Sequence, residues 1–235
     1  MRDDGRRARI LAALGERDAV AGVGTLMHRL CRLAVDEMAL SGCAVVLMSG
    51  SMPVGTLAGA GRHASTIAEL QFELGEGPCL QACASGSPVL MPDLTAEDGR
   101  WPAFVPAAVA AGVRAEFSVP LSVGPDGIGT FDMCRDEPGM LSQHNLADAL
   151  VAADIARQVV LSLQKPAGNP ELATMLDMLG SDRLVIHQAT GMIAAQIDAT
   201  IVNALARLRA AAFETGRSIY HISEDVIARR VRFDE

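Results

Sequence analysis

Two apolar runs, residues 113–123 and 127–135, are separated by Gly124-Pro125-Asp126, a turn-forming tripeptide. This hairpin demands an antiparallel sheet in a chain whose other long segments carry helical spacing. Upstream, residues 43–48 and 55–59 read as a second strand pair around Gly50-Ser51-Met52-Pro53, and residues 88–94 as a further short strand. Helical patterns fill the spaces between. The first covers residues 20–40, with Leu26, Leu30, Leu33 and Met38 on its apolar face; others cover residues 65–74 and 101–111. The resulting order is that of an α+β sensor-type domain, an antiparallel sheet flanked by helices.

From Gln143 onward the strand signal is gone. Ser142 can cap a helix over residues 143–163, in which Ala149, Ala153, Ala156, Val160 and Leu163 follow heptad spacing. Such a seam can pair with a second copy of itself or pack on its own sheet. A linker at residues 165–170 ends in Asn169-Pro170, an N-cap followed by an N1 proline. Leu172, Leu176, Leu179, Ile186, Ile193 and Ile197 then share a seven-residue register, interrupted by Gly180-Ser181. A second helix starts at Thr200 and stops at Gly216; a third starts at Ser218 and runs to about Val231. The expected organisation is a charged arm (1–16), a sensor domain (17–164), a linker (165–170) and an all-α three-helix module with a coiled-coil-like lead-in helix (171–235). A length of 235 residues suits two such units.

Of the twenty basic residues only Lys165 is a lysine, and it lies in the linker. Chemistry that requires a lysine, such as a phosphate-binding loop, a kinase strand lysine or a phospho-receiver pocket, has no residue to use. No apolar run reaches the ~20 residues needed to span a bilayer, and the charged start leads into no signal-peptide core, so a cytoplasmic protein without membrane contact is expected. The five cysteines follow no framework spacing and are expected to be reduced. Cys79 and Cys83, four apart on a helix, are open to three readings: buried apolar thiols, a redox pair or half a metal site. His63 and His144 stand at polar helix starts, where surface roles are ordinary, and Trp101 suits core packing. No catalytic triad, paired catalytic carboxylate motif or nucleophile elbow is present, so no enzymatic activity is expected.

The net charge is −8, yet between Asn203 and Arg232 six arginines (207, 209, 217, 229, 230, 232) face only Glu214, Glu224 and Asp225. This local patch can bind phosphates or simply solvate a helix face.

Leu74-Gly75-Glu76-Gly77-Pro78-Cys79-Leu80, Pro88-Val89-Leu90-Met91-Pro92-Asp93-Leu94, Arg100-Trp101-Pro102, Ala111-Gly112-Val113-Arg114 and Phe117-Ser118-Val119-Pro120-Leu121 together resemble bacterial GAF domains. Ile186-His187-Gln188-Ala189-Thr190-Gly191-Met192-Ile193, Ala204-Leu205-Ala206-Arg207-Leu208-Arg209-Ala210-Ala211-Ala212-Phe213 and Thr215-Gly216-Arg217 resemble an ANTAR domain. The pair of resemblances implies a signal-responsive regulator of transcription antitermination: a GAF sensor controlling an ANTAR module that binds paired hairpin loops in nascent transcripts, expected as a homodimer. For RNA binding it points to Gln188, Ala189, Thr190, Gly191, Arg207, Arg209 and Arg217, with Phe213 and Tyr220 either stacking on bases or packing in the core. Thr190 stands where many ANTAR domains have lysine, Ile201-Val202-Asn203 replaces an acidic position, and Ser223 replaces a small alanine.

In the GAF half the lysine of the cyclic-nucleotide signature is missing, which disfavours cyclic nucleotides. An apolar pocket lined by Phe72, Leu74, Cys79, Leu90, Phe117 and Phe131 is expected, and its occupant is left open among a small hydrophobic ligand, a haem and none. A thiol-active GAF enzyme related to free methionine sulfoxide reductases, with Cys79 or Cys83 as nucleophile, is the alternative. An interaction module without RNA binding is the third.

Overall fold

The computed structural model describes residues 2–15, 22–49, 52–96, 99–123, 126–163 and 181–233. Among these, helices α1 (Arg2–Gly15) and α2 (Val23–Met38) precede strands β1 (Gly42–Ser49) and β2 (Met52–Gly61). Helices α3 (Ala64–Leu74) and α4 (Pro78–Ser85), the short strand β3 (Val89–Met91) and helix α5 (Phe104–Ala110) follow. The hairpin β4 (Ala115–Val123) and β5 (Asp126–Arg135) leads into α6 (Gln143–Leu163), and the C-terminal helices are α7 (Ser181–Gln196), α8 (Ile201–Thr215) and α9 (Ile219–Ile227).

The strands form one antiparallel sheet in the order β2-β1-β5-β4-β3. Pro53 lies in the edge strand β2, where its missing N–H interrupts no interior ladder. One face of the sheet is covered by α1, α2 and α6. In α2, Met27, Leu30, Cys31, Ala34 and Met38 are buried at helical spacing, and they meet Val45, Phe117, Val119, Leu121, Phe131 and Met133 from the strands. The opposite face is covered by α3, α4 and α5, where Trp101 and Phe104 pack edge to face.

The amino-terminal segment is not a free charged arm. It forms α1, whose Ile10 and Leu14 are buried in the main core, while Arg7 donates to Asp154 at 2.5 Å and Arg9 to Asp148 and Glu37 at 2.6 Å. Its charges are spaced so that one stripe stays apolar. The heptad seam of α6 also resolves: Ala149, Ala153, Ala156 and Val160 are buried in the core of their own domain, because small side chains let α6 lie close to the sheet. The linker at 165–170, the lead-in leucines Leu172, Leu176 and Leu179, and the turn residues Gly50, Ser51, Gly124 and Pro125 lie outside the described residues.

The three C-terminal helices enclose a core of Ile186, Ala189, Ile193, Ala204, Leu205, Leu208, Ile219, Ile222 and Val226. Their boundaries follow local chemistry. The Thr200 hydroxyl accepts from Asn203 N at 3.3 Å, the Ser218 hydroxyl accepts from His221 N at 3.2 Å, and Gly216 ends α8 in the left-handed region at φ 63°. No single described helix is long and apolar enough to cross a membrane.

Candidate functional site

The segment 74–78 is a joint between three helices. Gly75 ends α3 at φ 69°, Pro78 opens α4, and the carboxylate of Glu76 accepts from Ala103 N (2.6 Å) and Phe104 N (2.8 Å), capping the start of α5. This joint holds α3 and α4 against the sheet face that carries the polar residues of the hairpin. In β4, Glu116 and Ser118 alternate with Phe117 and Val119; in β5, Thr130 and Asp132 alternate with Phe131 and Met133. Glu116 is opposite Cys134 and Ser118 is opposite Asp132, which makes Glu116 and Asp132 diagonal neighbours on one face, a spacing of roughly 7–8 Å.

Gln71, Glu116, Ser118, Thr130 and Asp132 are all buried. Gln71 reaches down from α3, where its Oε1 accepts from Cys79 N at 2.7 Å, and Thr130 Oγ1 donates to Asp132 Oδ2 at 3.2 Å. The Gln71 amide faces Glu116 and the Ser118 hydroxyl faces Asp132, although Glu116 Oε1 and Oε2, Asp132 Oδ1, Ser118 Oγ and Gln71 Nε2 make no close hydrogen bond among the described residues. Burial pushes Asp132 up to about 7, with the Ser118 and Thr130 hydroxyls pulling the other way. Burial, together with the charge of Asp132, pushes Glu116 well above the carboxylate range.

The same surroundings hold the thiols in their protonated form. Burial first, and then the charges of Asp132 and Glu116, raise Cys79 well above its ordinary value; burial also raises Cys83, Cys43 and Cys134. A nucleophilic cysteine needs the opposite shift. Iodoacetamide at pH 7.5 should leave Cys79 and Cys83 unmodified in the native chain over a time that fully alkylates a small free thiol; mass spectrometry showing rapid labelling of either would restore the thiol-enzyme reading. Among the described residues no group of three or more His, Cys, Asp or Glu side chains could hold a metal ion.

The six residues expected around the pocket separate. Phe117 and Phe131 point to the other face, into the core formed with α2 and α6, and Leu90 packs against that same core. The physical reason is the strand period: the apolar members of β4 and β5 take the broader helical cover, leaving the polar members under α3 and α4. Leu74 packs beneath α5. Phe72 turns outward into the core of the C-terminal helices. Cys79 alone lies at the polar cluster, so an acidic cluster stands beneath α3 and α4 where an apolar lining was expected. The alternation Glu116-Phe117-Ser118-Val119, in a sheet that needs cover on both faces, is the sequence signal that could have located it.

The RNA-binding candidates also divide. Ala189 and Thr190 are buried inside the helical module, with Thr190 Oγ1 donating to Ile186 O at 2.7 Å; Gly191 is half-buried, and Gln188 and Arg207 are exposed. Arg217 donates to Asp225 at 2.6 Å, a carboxylate it shares with Arg230. Arg209 donates from Nε (3.0 Å) and Nη2 (2.5 Å) to the carbonyl of Phe72, and burial lowers it to about 10. Phe72 is 3% exposed, with the Arg183 guanidinium 4.5 Å and that of Arg209 5.7 Å from its ring centroid, and His187 edge-on at 6.4 Å. A Cβ on Gly75 would meet Arg209 Nη1 at 2.6 Å, so a glycine there permits the close approach. Beside this contact lies a cleft of about 700 Å³, lined by Glu73, Leu74 and Gly75 on one side and Arg209, Phe213 and Arg217 on the other. Phe213 is 76% exposed, which removes the core-packing reading for that residue.

A sequence profile of the GAF domain matches residues 21–159. No curated protein sequence matches the chain. Among solved structures, the chain is similar to the GAF domain of a phosphoenolpyruvate-protein phosphotransferase from Acinetobacter, with a TM-score of 0.54, 12% identity, and coverage of 69% of this chain and 94% of that one. The GAF domain of the corresponding protein from Coxiella burnetii gives a TM-score of 0.51, 11% identity, and coverage of 69% and 94%. These likenesses show a shared fold. Since the family match spans more than half of the sequence and falls on the sheet and its two helical layers, the chain belongs to the GAF domain family.

Proposed function

We propose that the chain is a signal-responsive RNA-binding regulator of transcription antitermination, in which the GAF domain senses a small molecule and the C-terminal three-helix module binds paired RNA hairpins. The observation that carries this reading is the arginine and aromatic face of the module closing onto the sensor: Arg209 is held by Phe72 of α3, and exposed Phe213 borders the same cleft. An exposed ring in a cleft that two arginines also line suits an unstacked base and its phosphates. Gln71 and Phe72 are consecutive in α3, one on the acidic cluster and the other on Arg209. A change beneath the helix therefore reaches the module through a single residue step. Two copies of the chain would present two modules to two loops and raise the joint affinity; with the α6 seam used internally, pairing would employ another surface.

The test is sequencing of RNA crosslinked to the protein in its own cells, for the native chain and for an Arg207→Ala/Phe213→Ala chain. Short paired hairpins near terminators should be enriched with the native chain and lost with the variant. Loss of Arg207 alone should reduce the slope of log K against log salt by about 1. The reading fails if neither the native chain nor a Phe72→Ala chain, in which the module is freed, enriches such RNA. Association insensitive to salt would instead favour a protein partner for the exposed Ile201, Val202 and Phe213.

A further inference from the structure

We propose that the cleft between the GAF domain and the C-terminal helices is a binding site for an organic monocarboxylate with a planar apolar body. The cleft has a volume of about 700 Å³ and opens between Glu73, Leu74 and Gly75, where α3 ends, and the outer face of α8. That is the size of a small-molecule site. On α8, Ala206 and Ala210 lie four residues apart and are exposed, so the wall they form is low and flat, with Arg209 and Phe213 beside them at the same spacing. Larger side chains at 206 and 210 would fill the space. Phe213, 76% exposed, adds an aromatic ring to this wall, which suits a planar apolar body.

The charge in the cleft selects the head group. Arg209 commits Nε and Nη2 to the carbonyl of Phe72, its Nη1 lies over Gly75, where a Cβ would come within 2.6 Å, and it forms no ion pair with a carboxylate among the described residues. A half-buried guanidinium against a neutral carbonyl is a cation without its counter-ion, a costly arrangement that a carboxylate in the cleft would relieve. Arg217, which also lines the cleft, is already paired with Asp225. One uncompensated positive charge calls for one negative charge. A phosphate dianion would exceed it and meet Glu73 on the opposite wall, and an ammonium group would meet Arg209. Burial and the neighbouring Glu69 raise Glu73, which reduces its opposition to a monoanion without removing it.

A ligand seated there touches both halves of the chain and favours their closed arrangement. On the proposed function it would act against RNA, since both would use Arg209 and Phe213. The site itself does not rest on that reading and is tested without RNA.

Isothermal titration calorimetry of the full chain at pH 7.5 uses 1-naphthoate as the probe. The controls are 1-naphthalenemethanol, which keeps the body and lacks the charge, 1-naphthylmethylammonium chloride, which reverses the charge, and sodium phosphate, which lacks the body. Naphthoate should bind saturably at one site per chain, with the alcohol and the ammonium weaker by about tenfold or more and phosphate giving no binding heat. Arg209→Gln should weaken naphthoate by about tenfold or more, Ala210→Leu should block it by filling the wall, and Glu73→Gln should tighten it. No binding to the native chain, equal binding of the alcohol, the ammonium or phosphate, or an unchanged naphthoate affinity in Arg209→Gln or Ala210→Leu would overturn the assignment. The comparisons made on the native chain do not depend on how a variant folds or docks. Naphthoate binding in a chain that enriches no RNA would retire the proposed function and leave this site standing.

Discussion

A chain carrying Glu116→Gln and Asp132→Asn should be more stable than the native one at pH 8 and should lose most of the native pH dependence between pH 5 and 8. Both carboxyl groups have folded values raised above their ordinary ones, Asp132 from 3.8 to about 7 and Glu116 further by direction. A raised acid binds protons more tightly in the folded state. Its contribution is therefore fully present below about pH 4 and is lost as pH rises through the folded value. For Asp132 alone the displacement corresponds to about 4 kcal/mol at ~1.4 kcal/mol per unit. The amide isosteres keep the shape and remove the titration. His63 and His187, whose values are lowered by burial and neighbouring arginines, gain stability over the same window with the opposite sign, but both chains share them and the comparison cancels them. Urea unfolding at pH 5 and pH 8 provides the measurement. Parallel losses in the two chains would mean that the acidic pair is not what titrates.

Phe72→Ala should release the C-terminal helices from the GAF domain and, on the proposed function, strengthen RNA binding about tenfold or more. Among the described residues the ring is the one from the GAF half buried within the C-terminal core, and truncating such a phenylalanine costs about 3–5 kcal/mol. What remains at the contact is poorly satisfied. Arg209 is buried against a carbonyl with no ion pair to a carboxylate among the described residues, and burial lowers both Arg183 and His187, against the attraction of Glu69 for the first and a backbone hydrogen bond to Val54 for the second. Desolvated charge of this kind opposes docking. On the proposed function the closed arrangement is only modestly favoured, and its aromatic anchor decides the balance. Small-angle scattering should report a larger radius of gyration for the variant, and titration with the enriched hairpins should report tighter binding. An unchanged radius would show that other contacts hold the module; a larger radius with unchanged affinity would separate docking from RNA recognition.

Much of the fold was legible because it depends on local chemistry. The hairpin at 115–135, the cap at Thr200, the stop at Gly216 and the boundaries of α6 follow from turn residues, hydroxyl caps and spacing that a short window contains. The seam on α6 was legible only as a seam. Alanines at heptad spacing suit a partner helix and a close sheet equally, and what they met was the sheet. The acidic site was misread for a related reason: apolar residues near the pocket motif were expected to line it, yet Phe117, Phe131 and Leu90 serve the opposite core and Phe72 serves the C-terminal helices.

By itself, then, the sequence determined most of the elements after the amino-terminal segment, the GAF membership of residues 21–159 and the arginine-rich character of the last helices, since these rest on periodicity, capping and motif residues read along the chain. Only the tertiary structure decided which side of each strand each helix layer would cover. A period of two states that β4 and β5 have two unlike faces; it does not state that both will be buried. When α3 and α4 close over the polar face, Glu116 and Asp132 lose water together, and a pair of ordinary surface acids becomes the most strongly perturbed carboxylate cluster described in the protein.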